Sequence, residues 1–207
     1  MTNNVSIFLN IVIEGDLDLA VLQKIIHKSK RPYCILQTYG KRGFTFIDQK
    51  IKAFNNASHG TPFLILRDLD TWECAPLLIQ KILPFPKHNN LLFRIAVKGV
   101  ETWLLADREG FSNYLGIRRN DIPSDVESID NPKKFLINLA RRSKRKIKED
   151  IVPSIGSTAR QGRGYNSQLI YFVKNKWNIY NAMINSDSLN RTYKTIMYFK
   201  PLIYKNK

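Results

Sequence analysis

The stretch "VSIFLNIVIEGDLDLAVLQKIIHK", residues 5–28, decides the fold because its hydrophobic period changes once, at a short polar turn. Residues 5–13 are rich in β-branched and aromatic side chains, which is typical of a buried strand. Residues 16–28 repeat apolar side chains every three or four positions and so place them on one face of a helix: Leu17, Val21, Leu22 and Ile25. The stretch predicts a strand, a tight turn and a helix.

The same alternation continues through the first half of the chain. Three more strands are predicted from short apolar runs: "YCILQTYG" (33–40), "PFLILRD" (62–68) and "LLFRIAVKG" (91–99). Amphipathic segments between and after them predict helices: 44–54, 74–83 and 100–109. Strands that alternate with helices form a mainly parallel sheet that helices cover on both faces. We therefore predict an α/β fold with a four-stranded sheet.

The second half of the chain has a different character. Strand-like apolar runs stop after residue 108, and three longer segments look helical: 131–150, 165–183 and 188–202. In the first of these, Asn131 precedes Pro132 as a helix cap precedes a first-turn proline. We predict two domains, an α/β domain at 1–107 and a basic, mostly helical extension at 108–207 that packs on it.

Positive charge is concentrated in that extension. The formal charge of the chain is +16; residues 1–107 carry 13 basic and 9 acidic side chains, and residues 108–207 carry 20 and 8. A polyanionic partner is expected, and nucleic acid is favoured over an anionic membrane or an acidic protein. The candidate phosphate contacts lie before a predicted helix, in the run "RRSKRKIK" (141–148) and in the glycine-rich loop at 157–166: Lys98, Arg141, Arg142, Lys144, Arg145, Arg160 and Arg163. A solvated helix face and a surface turn explain the run and the loop equally well.

Several functional classes are disfavoured by the sequence. No run approaches the roughly 20 apolar residues of a membrane span, and the amino terminus lacks the pattern of a signal peptide. Cys34 and Cys74 lie far apart in apolar surroundings, and the three histidines lack metal-ligand spacing. We expect a soluble, cytoplasmic protein with neither a membrane partner nor a zinc site.

Four acidic residues follow predicted strands. Glu14 follows the first strand, Asp68 and Asp70 follow the third, and Glu101 follows the fourth. Ligands of open parallel sheets bind at the carboxyl ends of the strands, so these carboxylates should share one edge. Their oxygens suit Mg²⁺ or Mn²⁺. Taken alone, the Asp-Leu-Asp segment is also typical of an Asx turn or a helix cap.

Two of these segments, "IVIEGDLDLAVL" and "FLILRDLD", resemble the Toprim domain of topoisomerases, bacterial primases, recombination mediators and overcoming-lysogenization-defect nucleases. "RIAVKGVETWLLAD" (94–107) and "GYNSQLIYFVKNKW" (164–177) are similar to a small bacterial Toprim-like family that is often encoded beside AAA-type ATPases in defence settings. The resemblance implies that Glu14 performs acid/base or metal-contact work, that Asp68 and Asp70 bind the metal, and that Glu101 supplements them.

These observations lead to two functional hypotheses. The first is a Mg²⁺- or Mn²⁺-dependent nuclease that cleaves DNA or RNA as an effector of a bacterial anti-phage defence or mobile-element system. In it, Arg160 or Arg163 would contact the scissile phosphate. The second is a non-catalytic module that binds nucleic acid or docks onto an AAA-type ATPase. The sequence leaves a homo-oligomer open in either case.

Overall fold

The structure is a computed structural model that describes residues 6–202. Its sheet has four parallel strands in the order β2-β1-β3-β4, which confirms the α/β prediction. The strands are β1 (Ile7–Ile13), β2 (Tyr33–Gly40), β3 (Phe63–Asp68) and β4 (Leu91–Ala96). Residue 5, the first of the predicted opening strand, lies outside the described residues.

The strand β1 lies at the centre of the sheet and is buried on both faces. It pairs with β2 from Ile7↔Tyr33 to Ile13↔Gly40 and with β3 from Asn10↔Phe63 to Val12↔Ile65. Its side chains from Leu9 onward are almost all inaccessible to solvent, and each such aliphatic side chain contributes about 1.5–3 kcal/mol on burial. Because pairing on both sides and burial fix the position of β1, they also fix the position of Glu14, which follows it.

Helices connect the strands and follow the last of them, as predicted. The connecting helices are α1 (Asp16–Lys28), α2 (Phe44–Ala57) and α3 (Ala75–Ile82), and α4 (Val100–Ala106) follows β4. Helix α2 runs three residues past its predicted end at residue 54, since neither glycine nor proline interrupts the chain before Gly60. Helix α3 accommodates Pro76 in its first turn, where the missing N–H has no helical partner to lose.

The second half is helical, but its helices are shorter than predicted. They are α5 (Arg108–Leu115), α6 (Pro132–Ala140), α7 (Arg145–Ile151), α8 (Tyr165–Asn175), α9 (Ile179–Asn185) and α10 (Asp187–Tyr198). Among residues 6–202, no helix combines the length and the apolar character of a membrane span.

Two segments that were each predicted as one helix are divided into two helices in the structure, so these two predictions are wrong. The segment 131–150 breaks after α6, where the Ser143 hydroxyl donates to the Ala140 carbonyl at 2.6 Å and so satisfies a terminal acceptor. The segment 165–183 breaks before α9, where the Asn178 side chain accepts the N–H groups of Tyr180 and Asn181. A side-chain contact follows the end of α6 in the first case and begins α9 in the second.

Contacts along the chain divide it into two compact units. The first comprises the described residues up to Ile95 together with those from Arg191 onward, and the second comprises Ala96–Asn190. The returning segment is anchored to the first unit because the Arg31 guanidinium donates to the Met197 carbonyl at 2.7 Å. The sequence placed a boundary after residue 107, whereas the division by contacts falls at 95/96 and returns the last part of α10 to the first unit.

Candidate functional site

The ends of β1 and β3 bring Glu14 and Asp68 together. The two strands are hydrogen-bonded neighbours, so the residues at their carboxyl ends lie side by side. The Asp68 backbone N–H donates to Glu14 Oε1 at 2.8 Å, and the Glu14 side chain is only 16% exposed. The structure thus joins two of the strand-end acids that the sequence singled out.

The turn that presents Glu14 is fixed by an aspartate of α1. Asp18 Oδ2 accepts the backbone N–H groups of Glu14 at 3.0 Å and of Gly15 at 2.8 Å. Gly15 has extended backbone, and a Cβ there would meet no atom within 4 Å. The turn therefore depends on Asp18 rather than on glycine, and the space beside Gly15 is open.

A buried arginine, Arg67, occupies the centre of the site. Its side chain is 2% exposed although it lies within the apolar strand β3. Its Nη1 donates to Glu14 Oε1 at 3.2 Å, to Asp70 Oδ2 at 2.7 Å and to the Asp68 carbonyl. A single guanidinium nitrogen therefore meets oxygens from both strand ends.

Two further groups complete the surroundings of Arg67. Its Nε lies 3.3 Å from Asp48 Oδ1, which belongs to α2, and its Cζ lies 4.5 Å from the centre of the Phe44 ring. Asp70 reaches Arg67 from a backbone φ of 53°, a left-handed conformation that aspartate tolerates better than most residues. Between the two acids Leu69 is 2% exposed, so the Asp-Leu-Asp turn separates its polar and apolar side chains.

Acidic groups outnumber basic ones in this cluster. The carboxylates of Glu14, Asp48 and Asp70 all contact one guanidinium, which leaves an excess of two negative charges when all are ionised, and Asp68 contributes its backbone N–H and carbonyl. Burial raises the pKa of Glu14 above its ordinary value of 4.5, even though the Asp68 N–H and the charge of Arg67 act in the opposite sense. The Glu14 carboxyl therefore holds a proton more readily than an exposed glutamate.

The cluster fits a hard divalent cation by the chemistry of its donors. All of its side-chain acceptors are carboxylate oxygens, which Mg²⁺ and Mn²⁺ prefer. Within the described residues, however, no three His, Cys, Asp or Glu side chains are arranged to hold a metal ion. Arg67 Nη1 lies between the oxygens of Glu14 and Asp70. Binding of a metal ion by Asp68, Asp70 and Glu14 beside this resident cation stays a prediction.

Glu101 and Lys98, two other predicted site residues, belong to the second unit. The Glu101 carboxylate is 9% exposed and accepts a hydrogen bond from the Tyr165 hydroxyl at 2.9 Å. Lys98 precedes α4 with a φ of 61° and is half-buried. Their roles in metal and phosphate binding stay predictions.

The predicted basic contacts fall into two groups. Arg142 and Arg145 are paired with carboxylates, Arg142 with Asp121 at 3.2 Å and Arg145 with Glu149 at 2.7 Å. The others have exposed side chains: Arg141, Lys144, Arg160 and Arg163. Of these, Arg141 and Arg160 line one cavity of the second unit.

Sequence reasoning missed Arg67 and Asp48. Arg67 could have been found, because a charged residue inside the apolar run "FLILRD" must have buried partners. Asp48 carried no such signal, since it is one of several polar residues on an amphipathic helix.

The chain was also compared with known proteins. A scan against protein-family models gave no match, and searches of curated proteins and of solved structures gave none. The resemblance to Toprim domains stays a prediction that rests on the residues quoted for it.

Proposed function

We propose that the protein is a Mg²⁺- or Mn²⁺-dependent nuclease that hydrolyses phosphodiester bonds of DNA or RNA. The observation that carries the proposal is that Glu14, Asp68 and Asp70 lie together at adjacent strand ends. The negative charge of this cluster exceeds the single positive charge of its arginine. A divalent ion bound there would supply Lewis-acid stabilisation of the phosphate and a more acidic water.

Glu14 is the group suited to moving a proton. Both of its hydrogen bonds with described residues use Oε1, from Asp68 N–H and from Arg67, so Oε2 keeps its acceptor capacity. Its raised pKa brings the carboxyl nearer to neutral pH, where proton transfer in both directions is easier. Asp68 and Asp70 would hold the ion, each from its side of the turn.

Arg67 is assigned a positioning role. Its buried guanidinium fixes Glu14 and Asp70 by direct hydrogen bonds and lowers the repulsion among the acids. Because its side chain is 2% exposed, we expect it to act through these carboxylates rather than on the nucleic acid.

Nucleic acid is proposed as the substrate because positive charge is concentrated in the second half of the chain. Residues 108–207 carry 20 basic and 8 acidic side chains, which favours phosphate-backbone contacts of low sequence specificity. An anti-phage or mobile-element role and an AAA-type ATPase partner follow from the resemblance. They are part of this proposal, as is the cytoplasmic location expected from the sequence.

The test is cleavage of labelled single-stranded DNA, duplex DNA and RNA by the full chain with Mn²⁺, Mg²⁺ or a chelator. We expect metal-dependent products that disappear in the Asp68→Asn/Asp70→Asn variant. Asp16→Asn is the matched control, because Asp16 is a 59% exposed acid that pairs with Lys41 outside the cluster. Undiminished cleavage by the double variant would refute the assignment of the site.

One observation favours the second function, a non-catalytic nucleic-acid-binding or ATPase-docking module. Arg67 Nη1 already provides a cation between Glu14 and Asp70, so the acids also form a coherent ion-pair network without a metal. This alternative predicts salt-sensitive binding of nucleic acid that is unchanged by chelation, with no cleavage products from any of the three substrates.

A further inference from the structure

A basic cavity lies in the second unit, beside helix α6. It measures about 500 Å³ and is bounded by α6 with the residues at its two ends, and by Pro153 and Arg160. Four cationic side chains line it: Lys133, Lys134, Arg141 and Arg160. The sequence singled out only Arg141 and Arg160, at separate places in the chain, and the fold brings them to one cavity.

The cations of this cavity have no opposing charge. No acidic residue lines the cavity, and across residues 6–202 none of the four forms an ion pair with a carboxylate. Their neighbour Arg142 does form such a pair, with Asp121. Four positive charges at one concave surface repel one another, and an anionic ligand removes that repulsion.

The cavity has one helical wall, formed by α6, and one wall formed by loop residues. Ile137 is 6% exposed and forms an apolar part of the wall together with Pro153. The Lys133 ammonium lies 5.2 Å from the centre of the Tyr165 ring, and the Tyr165 hydroxyl is held by Glu101. Lys133 is therefore oriented by contacts inside the second unit.

One backbone donor at the start of α6 is already occupied. The side chain of Asn131 accepts the Lys134 backbone N–H at 2.8 Å and so caps the helix. The side-chain donors that line the cavity belong to its lysines and arginines and to the amide of Asn138.

We propose that this cavity binds a phosphate group of a nucleic-acid strand together with its nucleotide. The four positive charges of the cavity favour a phosphate group. The cavity's volume of about 500 Å³ is large enough for a nucleotide, which could contact the apolar part of the wall. The identification of the ligand as nucleic acid rests on the proposed function, whereas the selection of a phosphate rests on the cavity alone. The cavity gives the second unit a defined point of attachment for the strand.

The test measures binding without cleavage. A 5′-phosphorylated, 3′-fluorescein-labelled 12-nucleotide DNA is titrated with the full chain in EDTA, and anisotropy gives the Kd. The pocket variant is Arg141→Ala/Arg160→Ala. The control is Lys146→Ala/Lys148→Ala, which removes the same charge from exposed side chains of the neighbouring helix α7 that do not line the cavity.

We expect the pocket variant to weaken binding by about tenfold or more and the control by less than about threefold. Each phosphate contact with a single strand contributes roughly 0.7 to the slope of the logarithm of the binding constant against the logarithm of salt concentration. Loss of two contacts should therefore reduce the magnitude of that slope by about 1.4. Equal weakening in the two variants would overturn the proposal, because a diffuse field would then explain the binding.

A second arm distinguishes a strand from a free nucleotide. Binding of AMP is measured by calorimetry with the wild type and both variants. Pocket-dependent AMP binding without pocket-dependent oligonucleotide binding would overturn the assignment to a strand. Since EDTA prevents metal-dependent cleavage, pocket-dependent binding by a chain that never cleaves would refute the nuclease proposal and leave the cavity assignment standing.

Discussion

Replacement of Arg67 by methionine should destabilise the first unit far more than the loss of a surface charge. Methionine keeps an apolar stem beside Phe44 but removes the guanidinium that contacts Glu14, Asp48 and Asp70. Three carboxylates would then face one another without their shared cation, and the buried Glu14 would have to stay protonated or remain unpaired.

The magnitude follows from the exposure of each partner. Breaking a buried ion pair costs about 3–5 kcal/mol, and Arg67 with Glu14 is such a pair at 2% and 16% exposure. Asp48 and Asp70 are 30% and 44% exposed, so solvent screens their pairs with Arg67 and each adds about 0–1 kcal/mol. Together these contributions give an expected loss of about 3–7 kcal/mol in the free energy of unfolding.

Urea denaturation followed by circular dichroism measures this loss. The control is a double-mutant cycle with Glu14→Gln, which retains an acceptor for the Asp68 N–H but removes the charge. In that background Arg67→Met should cost about 1–2 kcal/mol less. A cost below about 1 kcal/mol in the wild type, or the same cost in both backgrounds, would refute the description of a coupled buried network.

Three other predictions concern single residues. Asp107 is fully buried and accepts the N–H groups of Asn178 and Gly110 with different carboxylate oxygens. Asp107→Asn should therefore lower the free energy of unfolding in urea by about 1–3 kcal/mol. An unchanged urea midpoint would contradict this. Burial raises the pKa of Glu14 above 4.5, so its contribution to stability is complete below pH 4.5 and is lost as pH rises through the folded pKa. The wild type should therefore lose stability relative to Glu14→Gln as pH rises from 4.5, and the opposite slope would count against a buried carboxyl. Gly40 has a φ of 102°, and a Cβ there would overlap the Ile13 carbonyl, so Gly40→Ala should lower the melting temperature by several degrees, about 4 °C or more.

The parallel sheet could be predicted because its signals are local. Both bounds of β2 were predicted correctly from its run of β-branched and aromatic residues, although most of its side chains are exposed. The break between α6 and α7 could not be placed, because the arginines and lysines around Ser143 are good helix formers and give no stop signal. The capping contact that ends α6 is visible only in the folded chain.

The candidate site was predictable in part for a related reason. The α/β pattern predicts parallel strands, whose carboxyl ends lie at one edge of the sheet, so Glu14 and Asp68 could be assigned to that edge before their contact was seen. The approach of Asp48 depends on how α2 lies against β3, and periodicity does not specify that geometry. Glu101 follows a strand end like the others, yet its observed partner is Tyr165 within the second unit.

Anomalous diffraction from crystals soaked in Mn²⁺ shows directly whether the strand-end acids bind a divalent ion. We predict an ion within about 2.0–2.6 Å of carboxylate oxygens of Asp68, Asp70 and Glu14, and its loss in the Asp68→Asn/Asp70→Asn variant. Crystals saturated with Mn²⁺ that show no ion there, with Arg67 Nη1 still bonded to Glu14 and Asp70, would contradict it.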